Sequence, residues 1–248
     1  MKTLPAMSVS ANRFLATAFF LLFLSLPSEA ARKARAIFIQ PPDDPIASAI
    51  LHTETRNDKI ELPQRNLSPE VELPDGDLVV TVLDQVPPPK TPIDPSAPTF
   101  KIPAAWTRCI LLFFPDPSSK SFPVRVIPVN ASSDDFKMGH TLIYNVSPAT
   151  VIGKFGEQIV RIAPGRTGTV NPPISGFGSY PVAIDCTYPA SGEPVAICRS
   201  SWQHDPEARQ ILFITPNPGK KVPRIWGVLD RQEPITKKDS KGSEKAPG

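Results

Sequence analysis

Residues 136–165 read FKMGHTLIYNVSPATVIGKFGEQIVRIAPG, and this stretch decides the fold class. Three β-rich runs, 141–146, 150–152 and 158–163, follow one another at short spacing with turn residues between them. Gly139 opens the first run, and Leu142 and Tyr144 share one face of it by the two-residue period of a strand. Gly153 and Gly156 bracket a reversal, which predicts that the chain returns along the strand it has just left, in an antiparallel sheet.

Working outward, the same signal recurs on both sides. Residues 106–114 (WTRCILLFF) form a continuous apolar run that predicts a central strand. Residues 123–129 (PVRVIPV) alternate, and Pro128 directs them to a sheet edge. Runs at 180–186, 194–200, 209–215 and 223–230 follow. The stretch 211–214 (ILFI) is apolar on both faces and should be covered on both. Asp205-Pro206 starts a tight turn before it, through a side-chain acceptor and a fixed φ. Strand signals at this spacing, with no sustained helical period outside the N-terminus, predict a mainly β chain: an antiparallel Ig-like β-sandwich of seven to nine strands over residues 99–231.

Upstream the pattern weakens. Residues 31–35 (ARKAR) read as a short basic leader. Weak strand candidates occupy 36–40, 47–52 and 59–62, and a better one spans 77–84, entered through the Asp75-Gly76 turn. Residues 86–98 (VPPPKTPIDPSAP) read as an extended Pro-rich linker. Residues 31–98 are therefore expected to be a β-poor appendage. Residues 232–248 are polar and predict a disordered tail. Pro is the compositional outlier, 32 residues against 13 Gly, and at this density it forbids long helices.

The N-terminus carries the clearest message about location. Lys2 and Arg13 precede a 13-residue apolar run at 14–26 (FLATAFFLLFLSL), and Ser28 and Ala30 supply small residues before a cut after Ala30. Residues 1–30 are a predicted signal peptide, too short in its apolar part to span a bilayer. The expected location is periplasmic or extracellular, with no stable membrane span after cleavage. The formal charge is +3, and +2 once Lys2, Arg13 and Glu29 are removed. Such a balance gives no electrostatic case for nucleic acid.

Export changes the reading of the cysteines. A hairpin turn at Ser191-Gly192-Glu193 would set Cys186 opposite Cys198, so these two are a candidate cross-strand disulfide. Cys109, inside an apolar run, reads as an inert core thiol. Copper would need two His, one Cys and an axial Met, types supplied by His140, His204, Cys198 and Met138, but the short Cys-His-Met cluster of such sites is missing. No C-x-x-C or H-x-x-x-H pair is present, and the expected sites include no metal, no cofactor and no catalytic residue. Ser200, His204 and Asp205 are triad residue types without evidence of triad geometry. The carboxylate pairs Asp134/Asp135 and Asp205/Glu207 fall in turns, where they satisfy backbone donors. Gly176-Phe177-Gly178 is loop punctuation. Asn66, Asn130 and Asn145 begin N-x-S acceptor patterns. Trp106, Trp202 and Trp226 with Arg108, Arg199 and Arg224 are a candidate aromatic and basic ligand face.

Two segments also carry a resemblance. GHTLIYNVS at 139–147 with VIGKFGEQIVRIAPG at 151–165, and SSWQHDPEARQILFITPNPGKKVPRIWGVLDR at 200–231, make the chain similar to a group of uncharacterised exported bacterial proteins built as single β-sandwiches. The similarity covers about residues 105–231 and is one of pattern. It implies a bacterial envelope location and brings no catalytic residue. The expected function is a non-enzymatic cell-envelope module with a structural or macromolecule-binding role, its partner another envelope protein or a polysaccharide. The alternatives are a carbohydrate-binding module using exposed Trp, and a hydrolase or metal enzyme with a site assembled from loops.

Overall fold

The computed structural model describes residues 31–132 and 136–231, and among them every regular element is a strand. The first eight are β1 (Arg32–Phe38), β2 (Ser48–His52), β3 (Asn57–Glu61), β4 (Val71–Leu73), β5 (Leu78–Leu83), β6 (Thr99–Ile102), β7 (Arg108–Pro115) and β8 (Val124–Asn130). The second eight are β9 (Thr141–Asn145), β10 (Thr150–Phe155), β11 (Gln158–Ile162), β12 (Thr167–Val170), β13 (Gly178–Thr187), β14 (Pro194–His204), β15 (Ala208–Thr215) and β16 (Arg224–Arg231). The predicted signal peptide, the tail and Asp134/Asp135 lie outside the described residues.

These strands form four sheets with the orders β4-β1-β7-β8, β3-β2-β5-β6, β12-β9-β15-β16 and β11-β10-β13-β14. Adding eight to each label of the first two orders gives the last two. The pairing senses repeat as well: β1 runs parallel to β7 as β9 does to β15, and the other pairs are antiparallel. The molecule is a topological duplicate, two eight-stranded halves in tandem, a repeat that the sequence pattern did not disclose.

Three hydrophobic cores separate the four sheets. The first lies inside the first half, where Ala36, Phe38, Leu111 and Phe113 meet Leu51, Ile60, Val80 and Phe100. The third lies inside the second half, where Ile143, Leu212 and Ile214 meet Val151, Phe155, Val182 and Ile184. The middle core joins the halves: Ile37, Ile110, Leu112 and Phe114 pack on Leu142, Tyr144, Ile211, Phe213 and Val228. The two sheets in the middle are therefore covered on both faces. Hence β7 and β15 read as continuous apolar runs rather than alternating ones. Successive residues of each point into different cores, and each large side chain so buried contributes about 1.5–3 kcal/mol.

Several expectations are corrected by the pairing. The boundary expected at residue 98/99 falls between β5 and β6, which are hydrogen-bonded neighbours, and β7 and β8 also complete the first half. The 31–98 region contributes five strands. Its weak signal has a physical origin: these strands are short, and one is a three-residue edge piece. The Pro-rich 86–98 stretch lies within the β5–β6 connection, and its end is held where Val82 N–H donates to the Pro98 carbonyl (2.8 Å). The basic 31–35 segment is no leader, because Arg32, Ala34 and Ala36 are buried in the central strand β1.

Within residues 136–165, β10 and β11 are antiparallel neighbours, as expected, but β9 belongs to a different sheet. The reversal occupies only Gly156-Glu157, with Gly156 at φ +59°. Gly153 sits inside β10, and a Cβ there would meet the Phe155 ring at 2.4 Å. Glycine thus makes room for an aromatic side chain of the third core rather than for a turn. Pro128 behaves as its chemistry predicts, since β8 is an edge strand.

Candidate functional site

Among the described residues, two of the most deeply buried charges lie where the halves meet. Arg209 on β15 is 2% exposed, as is Asp230 on the neighbouring β16. Alternation explains the placement: Arg209 shares its strand face with Ile211 and Phe213, and Asp230 shares its face with Val228. Arg209 Nε donates to Asp230 Oδ2 (3.0 Å), and Nη2 pairs with the same oxygen. Nη1 donates to the carbonyls of Ala131 (2.6 Å) and Phe136 (2.8 Å), and the guanidinium lies over the Phe136 ring at 4.8 Å. Those carbonyls lie in the chain that passes from β8 to β9, so one side chain fastens the connection between the halves at two points. The other oxygen, Oδ1, accepts from Arg35 Nη1 of β1 at 2.9 Å. Asp230 therefore bridges one arginine from each half. Both charges are paired and hydrogen-bonded, the condition for burying them at tolerable cost.

A second feature lies at one end of the second half. A cleft of about 450 Å³ is lined by Met138, His140, Asn171, Pro173, Ile174 and His204, among others. His140 immediately precedes β9, His204 ends β14, and residues 171–175 belong to the β12–β13 connection. Gly139, at φ +80°, lets the chain turn against His204: a Cβ there would lie 2.9 Å from the imidazole Cε1. The turn is tied down by Gly139 N–H to the Ala208 carbonyl (3.0 Å) and Gln210 N–H to the His140 carbonyl (3.0 Å). Burial, with the nearby Lys137 and His204, holds the His140 imidazole below its ordinary pKa.

The expected ligand face is not assembled. Trp106 packs on the first core, Trp226 on the middle core and Trp202 on the third. Trp226 lies 4.7 Å from the Phe213 ring, and Trp202 meets Phe155 edge-on at 5.6 Å. Each indole is half-buried over a different core, so they form no common platform. Arg108 pairs with Glu70, Arg199 pairs with Asp185 at 2.5 Å, and Arg224 is exposed at the start of β16.

Cys186 and Cys198 are free thiols, as is Cys109. The β13–β14 pairing begins at Thr187↔Pro194, across a six-residue connection rather than the three-residue turn expected, so Cys186 faces Val195, and beyond a one-residue irregularity at Ile184/Asp185 Cys198 faces Ile184. The longer connection sets a register in which the two cysteines are not opposite. Burial pushes the Cys109 thiol up to about 12 and also raises Cys186. Ser200 Oγ donates to the Ser201 carbonyl (3.4 Å). Asp205 accepts from Glu207 N–H (2.9 Å) and Arg231 (2.8 Å), the structural use expected of a turn carboxylate. Asn145 is fully buried, its amide donating to the Ala149 (2.8 Å) and Ile162 (3.1 Å) carbonyls, so its acceptor pattern is a structural turn.

Of the four residue types that copper chemistry drew attention to, the fold collects Met138, His140 and His204 in the cleft and leaves Cys198 out. The Arg35–Asp230–Arg209 bridge escaped the sequence reading. Its only signal was a charged residue occupying the apolar face of a strand at each of the three positions. Among known proteins, no family model matches the chain and no curated protein matches it.

Proposed function

We propose that this chain is an exported, non-enzymatic cell-envelope module, built of two Ig-like β-sandwiches, with a structural or macromolecule-binding role in the periplasm or outside the cell. The observation that carries this reading is the welding of the halves. A continuous middle core and the buried Arg35–Asp230–Arg209 bridge join the four sheets into one stack. Tandem domains usually meet through smaller, more polar contacts that leave them free to move. A rigid stack suits a spacer or docking element, which must hold its ends at a fixed separation. The predicted signal peptide and the pattern-level resemblance to exported bacterial β-sandwich proteins support the compartment.

The partner is another envelope protein or a polysaccharide. Strand β14, eleven residues long and largely exposed, is an edge strand among the described residues and offers that edge to an extended segment. The full chain, carrying a photo-crosslinking residue at Ser201 and expressed with its predicted signal peptide in a Gram-negative host, tests the reading. Recovery of a discrete crosslinked envelope component supports it. Recovery of none from that position or from a second one on β14, Ser200, or retention of the unprocessed chain in the cytoplasm, overturns it.

A further inference from the structure

The cleft between residues 138–140, the β12–β13 connection and the end of β14 remains unused by the structural role. Its lining is unusual for a solvated loop crevice. Two imidazoles and a thioether border the same space, beside Pro172, Pro173 and Ile174. His204 is 8% exposed. Neither His204 nor His140 makes a side-chain hydrogen bond to the described residues, in contrast to His52, whose Nδ1 meets Asn57 Oδ1 at 2.7 Å. A buried imidazole ordinarily has a partner for its ring nitrogens. Here both histidines line a cleft instead.

Gly139 makes the arrangement possible. Any side chain at that position would strike the His204 ring, and the positive φ is itself costly for other residues. The glycine therefore lets the 138–140 turn approach the His204 ring, and Met138, His140 and His204 line the same cleft. The lining holds no Asp, Glu or Cys, and among the described residues no three His, Cys, Asp or Glu side chains converge.

We propose that Met138, His140 and His204 form a binding site for a monovalent copper ion. The chemistry of the donors selects the metal. Thioether sulfur is a soft ligand that suits Cu(I), and imidazole suits copper in either state. Zinc sites in proteins draw on thiolate, imidazole and carboxylate, and this lining offers no thiolate or carboxylate to accompany the two imidazoles. Three neutral donors match a monovalent ion, whose charge needs no buried counter-charge. Pro173 and Ile174 give the cleft an apolar side.

The experiment is a titration of the purified full chain with Cu(I) under anaerobic, ascorbate-reduced conditions, in competition with bicinchoninate. X-ray absorption then reads the coordination shell. The expected result is one Cu(I) per chain with two nitrogens and one sulfur. His140→Gln and Met138→Leu, both at sites less buried than His204, each weaken binding about tenfold or more, and Met138→Leu removes the sulfur shell. Circular dichroism checks that both variants keep their strands. Cys198→Ser leaves binding intact. The proposal is overturned if the competitor strips the chain of copper, if the shell contains nitrogen alone, if both variants bind like the parent, or if Cys198→Ser abolishes binding.

Discussion

The two halves share a strand order but neutralise their buried arginines differently. In the second half, Arg209 meets a carboxylate, two carbonyls and an aromatic face. In the first, Arg32 is equally buried but meets only carbonyls: Nε donates to Trp106 (2.8 Å), and Nη2 to Gly76 (2.7 Å) and Ala104 (3.1 Å). Its Nη1 has no hydrogen-bond partner among the described residues. The outer hairpins differ too. β5 and β6 are short and joined by a long Pro-rich connection, whereas β13 and β14 run ten and eleven residues with a short one. Topology is thus indifferent to how each buried charge is satisfied. It depends on which strand faces are apolar, and the polar details are solved locally.

The comparison is broken most severely at Asp230. Asp230→Asn strands Arg209 and Arg35 at the junction, and urea unfolding should show a loss of about 3–5 kcal/mol, the range for an orphaned buried charge. A loss below 1 kcal/mol would mean that the junction is wetter than its 2% exposure implies. Arg32→Met should cost less, about 1–3 kcal/mol, because it removes donors from three carbonyls but leaves no opposite charge behind. Equal losses for the two variants would erase the distinction drawn between the halves.

Acid sharpens the contrast further. Burial acts to raise the Glu70 pKa, but the hydrogen bond from Lys33 and the charges of Arg108, Lys33 and Arg35 outweigh it and hold the carboxyl below its ordinary value. The folded pKa lies below the unfolded one. The stabilisation is therefore present above the unfolded value, near 4.5, and is lost as pH falls through the folded value. Glu70→Gln should flatten that acid limb by less than about 1 kcal/mol, since Glu70 and Lys33 are partly solvated. Denaturant midpoints from pH 7 down to 3 read this directly. The smallest effect belongs to Arg199→Ala: its pair with Asp185 is exposed, and the melting midpoint should move by no more than about 0.5 kcal/mol allows.

Parts of the fold were legible before any coordinates. The run 106–114 and the stretch 211–214 are apolar on both faces, and both became interior strands covered on two sides. Pro128 marked an edge, and Asp205 a turn. The partition of the chain was not legible, because apart from the eight-residue β7 the first half advertises itself with strands of three to seven residues separated by Pro-rich loops, a composition shared with linkers. Only β7 is long and apolar enough to stand out there, and it was naturally assigned to the strands that follow it.

Of the sites, residue types were readable and neighbours were not. Cys186 and Cys198 missed each other because the β13–β14 connection spans six residues rather than three, which sets Cys186 opposite Val195. Trp106, Trp202 and Trp226 separated because the fold has three cores rather than one. His140 and His204, sixty-four positions apart, meet because β9 and β15 run parallel in one sheet while β14 ends beside them.

The quoted stretch at 136–165 shows where the division lies. By itself it determines strands: alternation, β-branched residues and Gly156 specify an extended chain and one tight hairpin. Which strands become neighbours is a long-range matter. β9 leaves the hairpin for another sheet because Leu142 and Tyr144 are buried against the first half while Ile143 is buried against β10 and β13. A strand with two apolar faces needs two covers, and only the tertiary structure decides what supplies them.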